Sequence, residues 1–423
     1  MNSGFRFFLG VSGRLLFLLS MVFFVPSFLF VAFGLSSLAP GLILVAIITL
    51  PRLLVGSCSL GACLGVRWLF LSFVGFLSVY LVVGVLTTPE WKPLFSFVAL
   101  ITLFFLSTTL AQLFLKLPFD VLIRTMLGLL LFLILLGWTS QVLDVKLFGF
   151  DQAPKAVFPF SEQSHYALAV GMVSVAIVSI SAPWVAGLIV LNLFLLSFVL
   201  PSLTMLLFAI IALVVMAFRL RPIFALFLLF VLGSVFGVGL ASLLGNVEYF
   251  ASRLDFRNLD NLTLLVWIQG WELAVTNFLA TSGFGIGFQG LGGPSTRLSE
   301  ISFAIYDRYG AMFNIDDGGF LAAKLIAEFG VVAVVLSFLY LIAICYLLLT
   351  RNRKSKLIGK ADGQSSEVLK KEVVMNSLVL SFSVEYFFRG YGYFSPGVVV
   401  FLSAIISIVA IGFRYRDQRR YLL

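Results

Sequence analysis

Residues 94–114 read LFSFVALITLFFLSTTLAQLF, a run of twenty-one positions without a charged side chain. An α-helix needs about 20 apolar residues to cross a hydrocarbon core, so this run has the length of one crossing. Lys92 and Pro93 precede it and Lys116 follows it, which places cations where membrane–water boundaries would fall. Working outward in both directions, runs of the same kind lie at approximately 15–35, 39–57, 67–87, 121–139, 164–181, 183–199, 202–218, 222–244, 319–349, 373–391 and 396–413. The composition agrees, with 61% hydrophobic and 11% charged residues in 423 and a mean hydropathy of +1.12. Soluble domains carry about 25% charged residues, so soluble enzymes are excluded. The expected fold is an all-α polytopic membrane protein of about 12 transmembrane helices with one large loop outside.

Charge sets the expected orientation. With the N-terminus inside, 19 of the 28 Lys and Arg fall on the cytoplasmic side, among them Arg52, Arg67, Lys116, Arg219, Arg221 and the run from Arg351 to Lys371. That bias, repeated by Arg414, Arg416, Arg419 and Arg420, predicts an even number of spans with both termini inside. Of the 19 acidic residues, 14 fall outside. The run from Arg351 to Lys371, with Gly359, Gly363, Ser365 and Ser366, reads as a solvated linker. The first span follows Arg6 and Arg14, but it is too long for a signal peptide and lacks a small-residue cleavage site. Three cysteines, Cys58, Cys63 and Cys345, imply no disulfide framework, and a single histidine, His165, cannot build a multi-histidine metal site. No cofactor and no nucleic acid are expected.

The chain divides into residues 1–244 with nine spans, a loop at 245–318, and residues 319–423 with three spans and a tail. Two outer segments, 140–163 and 245–318, are long enough to carry chemistry. Leu264, Trp267, Trp271, Ala274 and Phe278 recur at helical spacing after a cap at Asp260 or Asn261, which predicts a helix lying along the membrane surface. Gly285-x-Gly287-x-x-Gly290 matches a dinucleotide fingerprint formally. It follows a predicted helix rather than a strand, so its glycines serve a tight turn whose amides face an anionic group.

The segment Phe158-Pro159-Phe160-Ser161-Glu162-Gln163-Ser164-His165-Tyr166 places a carboxylate and the only imidazole three residues apart at the outer mouth of span six. On one helical turn they share a face. A carboxylate beside an imidazole orients it and raises its basicity, which suits acid–base work; a capping glutamate with an interfacial histidine fits equally. Arg253 and Arg257, four residues apart, suit bidentate contacts to phosphate, or pairing with Glu248, Asp255 or Asp260. Glu385 and Arg389 sit one turn apart at the end of span eleven; Arg389 reads as a snorkelling anchor in an aromatic belt or as the partner of Glu385, because a lone carboxylate at that depth is costly. Lys324 and Glu328 have the same spacing and are expected to form a structural pair.

The Ser161 to His165 segment resembles the Ser-Glu-Pro-Ser-His segment of bacterial O-antigen polymerases of the Wzy type, within the O-antigen polymerase and ligase superfamily. Glu162, Ser164 and His165 match, and Gln163 stands where that segment usually has proline. The resemblance runs over roughly 155–400. It includes the tryptophan-bearing stretch at Trp267 and Trp271, the Gly283 to Phe288 turn and the segment from Phe320 to Val331 with its Glu-Phe-Gly. An arginine before the tryptophan is absent, and Asp316-Asp317-Gly318-Gly319 replaces the histidine pair usual in ligases, which argues against a ligase.

The resemblance implies a GT-C-like glycosyltransferase of lipopolysaccharide biosynthesis in the bacterial inner membrane, working at its periplasmic face. It would join oligosaccharide repeat units carried on undecaprenyl pyrophosphate, with membrane lipid and a chain-length regulator as further partners. Glu162, His165 and Arg389 would then be catalytic, and Arg253, Arg257, Glu385 and Tyr166 would bind substrate. A transporter or lipid-linked oligosaccharide flippase is the rival from another class, although no repeated halves are evident, and an O-antigen ligase stays third.

Overall fold

Backbone amides in hydrocarbon find no water, so a chain this apolar must close its hydrogen bonds within helices. The computed structural model describes residues 3–49, 63–87, 91–143, 149–150, 156–220, 261–361 and 363–420, and apart from a single Val157–Phe160 bridge its regular structure is helical. The predicted ninth span at 222–244, Arg253 and Arg257 lie outside the described residues.

The helices are α1 (Ser3–Ala32), α2 (Ala39–Thr49), α3 (Leu64–Thr87), α4 (Lys92–Lys116), α5 (Phe119–Thr139), α6 (Gln163–Val178), α7 (Pro183–Val199) and α8 (Leu203–Leu220). After the undescribed stretch come α9 (Leu262–Ala280), α10 (Glu300–Tyr309), α11 (Leu321–Phe329), α12 (Val331–Ile358), α13 (Gly363–Ser381), α14 (Ser383–Phe387) and α15 (Pro396–Arg420). Seven of the described helices are long and apolar enough to cross a membrane: α1 from Gly10, α3, α4, α5, α9, α12, and α15 to Phe413. α2, α6, α7 and α8 are shorter apolar helices. The protein is therefore a multi-pass, all-helical membrane protein.

α6 is the centre. Its sequence is apolar all round, and every residue from His165 to Val178 is buried, as expected of a helix enclosed on all sides. α5, α7, α8 and α13 pack around it, while α15 packs on α4 and α13 and α1 closes against α5. By contrast, α12 leaves Val335, Phe338, Leu339, Ile342, Tyr346 and Leu349 exposed, which fits a lipid-facing side.

Three sequence expectations change. The predicted tenth span breaks at Gly330 into α11 and α12, and the eleventh breaks after Ser381 into α13 and α14. The predicted linker at 351–371 is largely helix instead, because α12 continues to Ile358 and α13 begins at Gly363. Lys354–Glu372 (2.6 Å) ties these two helical extensions together, and Lys371–Glu367 (2.9 Å) staples α13. The helix expected after Asp260 or Asn261 is α9, with Asn261 as its cap, accepting from Leu264 N–H. Its Leu264 and Ala274 are buried, and it packs on α11 and α10.

Gly330 makes the break possible. Its φ is +57°, Val331 N–H donates to the Gly283 carbonyl, and a Cβ at 330 would land on that same carbonyl. Only glycine adopts this backbone without strain. Gly330→Ala is expected to cost at least about 1–3 kcal/mol from the backbone alone, read as a lower melting temperature of the purified protein in detergent. An unchanged melting temperature would show that the break relaxes freely.

Candidate functional site

The chain enters α6 through Val157 and Phe160, whose backbones bond to each other across Phe158 and a cis Pro159. Phe150 and Phe158 pack against Phe28 of α1, fixing this corner to the bundle. Glu162 is the N-cap residue, and its carbonyl accepts from His165 and Tyr166 N–H. Gln163 takes the first helical position, where proline is also well tolerated. The departure from the resembling segment therefore leaves the local helix start intact.

The Glu162 side chain does not cap the helix. It turns outward, accepting from Ser164 Oγ (2.8 Å) and from Arg389 Nη2 (2.9 Å). His165 is buried with its Nδ1 2.6 Å from Ser161 Oγ and its Nε2 3.9 Å from Glu162 Oε2. Tyr391 lies against the imidazole at 3.7 Å between ring centroids. Partial burial pulls the Glu162 carboxyl upward, but Arg389, His165 and Ser164 outweigh it and hold the group below its ordinary range. The Glu162–Arg389 pair is therefore intact above the ordinary carboxylate pKa and is lost as pH falls through the lowered value.

Arg389 reaches this point because α14 ends at Phe387. The following turn is held by Arg389 N–H on the Val384 carbonyl and by Gly390 N–H on the Gly319 carbonyl. Trp267 of α9 donates its indole N–H to the Phe387 carbonyl at 3.1 Å, so α9 supports the same turn. The guanidinium uses one nitrogen on Glu162, and among the described residues no other protein acceptor meets it. It is about a quarter exposed (26%), leaving the rest of its fork open to an anion from outside.

The Glu385–Arg389 pair does not form. The helix ends between them, so the two no longer share a helical face. Arg389 turns to Glu162, and Glu385 points inward at 1% exposure, with neither carboxyl oxygen hydrogen-bonded among the described residues. Tyr166 also turns away: its hydroxyl donates to the Leu133 carbonyl of α5 (2.8 Å), and Gly137 leaves the room its hydroxyl occupies. Its place is in the core. Sequence reading misses Ser161 and Tyr391 as neighbours of the imidazole. Ser161 is legible four residues before His165, whereas nothing local points to Tyr391.

Lys324 and Glu328 do pair, at 3.6 Å and both buried. Glu328 also accepts from the Gln289 and Leu291 amides (2.8 and 3.3 Å) and from the Tyr393 hydroxyl. Lys324 donates to the Asp316 carbonyl and to Gln289. The amides of the glycine-rich turn thus face an anion, and that anion is the protein's own carboxylate. Gly392, three residues after Arg389, lies against Asp317 and the Lys324 side chain, so the knot adjoins the Arg389 turn.

Among the described residues no group of three His, Cys, Asp or Glu side chains could hold a metal. What the cluster can do is hold a phosphate at Arg389 and exchange a proton at His165. No family model, no curated protein and no solved structure matches the chain.

Proposed function

We propose that this protein is an O-antigen polymerase, a glycosyltransferase that joins undecaprenyl-pyrophosphate-linked oligosaccharide repeat units at the periplasmic face of the bacterial inner membrane. Its architecture is GT-C-like with twelve spans and both termini in the cytoplasm. The single observation that carries the reading is the meeting of the Ser161–Glu162–Ser164–His165 segment with Arg389, 227 residues away in sequence, at a helix mouth. An acceptor sugar hydroxyl attacks the anomeric carbon of the donor chain, His165 takes its proton, and lipid pyrophosphate departs. Arg389 stabilises the charge that develops on the leaving group. Glu162 holds Arg389 in place and lies beside the imidazole; Arg253 and Arg257 add cations for the same pyrophosphate.

Deletion of the gene in its native strain, followed by surface-polysaccharide gels, tests this. The expected pattern is glycolipid bearing one repeat unit, with long chains restored by wild type but not by Arg389→Ala at matched protein level. Removing a single preorganised charge partner costs about 10²–10³ in rate, enough to erase the ladder. Loss of every repeat unit would point to a ligase or flippase, and an unchanged gel would overturn the reading.

A further inference from the structure

Two carboxyl groups flank His165, and their surroundings are opposite. Glu162 is half exposed and engaged by Arg389 and Ser164. Glu385 is buried in a cavity it shares with His165, Tyr391, Ser395 and Gly397. Among the described residues neither Glu385 oxygen has a hydrogen-bond partner, and the Tyr391 hydroxyl, also buried, has none. Ser395 Oγ accepts from Val398 N–H at the start of α15, which leaves its hydroxyl proton free to turn to the Glu385 carboxyl beside it. A Cβ at Gly397 would strike Glu385 Oε2, so the glycine keeps this space for the carboxyl. The cavity measures about 10 Å³, which is room for about one water molecule.

We propose that Glu385 accepts, through one water molecule in this cavity, the proton that His165 removes from the attacking hydroxyl. This deepens the polymerase reading and rests on it. Where two carboxyls in one site have environments that push their proton affinities apart, the acid–base roles separate with them. Glu162, tied to a guanidinium, is the weak base. Glu385, buried in the cavity and engaged by no guanidinium, is the carboxyl left to receive a proton, and the N-terminal end of α15 beneath it supports its ionised form.

The acceptor O–H bond breaks as its oxygen bonds to the anomeric carbon, and the bond from that carbon to the pyrophosphate oxygen breaks with its electron pair leaving on the lipid pyrophosphate. The proton passes to His165, the imidazolium gives one to the water, and the water gives one to Glu385. After product leaves, the proton returns to the mouth by the same route. The other titratable groups around Glu385 are Tyr391 on the loop, Tyr386 on α14 and Tyr340 on α12, with Glu162 and Arg389 beyond His165; α1 presents Phe23 and Ser27.

Infrared difference spectra of the purified protein in lipid, taken across a pH series, read Glu385 directly. A carboxylic-acid carbonyl band is expected to titrate in wild type, to vanish in Glu385→Gln, and to shift in frequency in His165→Gln. Persistence of the band in Glu385→Gln, or no shift in His165→Gln, overturns the link between the two residues. In native membranes charged with the strain's own lipid-linked repeat units, the wild-type rate is expected to rise with pH as Glu385 ionises. Glu385→Gln should lose that limb and about 10²-fold in rate, with Glu385→Asp restoring part of it. A Glu385→Gln protein with the wild-type rate and pH profile overturns the proton role. If the deletion strain's polysaccharide is unchanged, the polymerase reading falls, while the infrared result still decides whether Glu385 and His165 share a proton.

Discussion

Glu328→Ala is expected to lower stability by about 3–5 kcal/mol, because it breaks a buried ion pair and leaves the Lys324 ammonium only the half-exposed Asp317 carboxylate at 3.6 Å. Glu328 is fully buried, and it also accepts from two backbone amides and the Tyr393 hydroxyl. Its loss therefore strands donors from the glycine-rich turn, α11 and the loop before α15 together. Thermal or denaturant melting in detergent measures the loss. Glu328→Gln, which keeps an acceptor of the same size, should lose less than the alanine variant but still fall below wild type. A change under about 1 kcal/mol for Glu328→Ala would mean that water reaches Lys324, contrary to its 2% exposure. Because Asp316, Asp317 and Gly392 lie around this knot, partial unfolding here should also reduce activity by releasing the Arg389 turn.

His165→Gln is expected to reduce polymer formation by about 10²–10⁴, the usual contribution of a positioned general base. Glutamine keeps polar contact with Ser161, so the helix start should survive, and protein level and melting temperature should stay near wild type. The measurement is the initial rate of chain extension in membranes at matched protein amounts. Ser161→Ala should cost less, since it removes only the group 2.6 Å from Nδ1 that orients the ring. A His165→Gln variant that polymerises at the wild-type rate would return the histidine to a packing role beneath Tyr391.

Much of the architecture is legible in the residues alone. Composition excludes a soluble protein, and the charge-free run at 94–114 lies within the observed α4. The Lys324–Glu328 pair follows from four-residue spacing, and the Glu162–His165 approach from three, because a helix turns every 3.6 residues. The same arithmetic misleads at Glu385 and Arg389: it presumes that the helix continues, and here it ends at Phe387. Composition misleads at 351–371, where a charged, glycine- and serine-bearing run that resembles a linker forms two helical extensions tied by Lys354 and Glu372.

The amino-acid sequence by itself determined that the chain is helical and lies in a membrane, because burying peptide groups in hydrocarbon without helices is prohibitively costly. It also marked the mouth of α6 as chemically unusual, since polar side chains there stand out against an apolar background. Only the tertiary structure decided the partners. Arg389 meets Glu162 rather than Glu385, Tyr391 covers His165, Tyr166 withdraws to α5, and Glu385 faces a cavity sized for one water. Local periodicity reports which residues share a face; which faces meet depends on where helices break and how they pack, and those contacts join positions from 33 residues apart, for Tyr166 and Leu133, to 227, for Glu162 and Arg389.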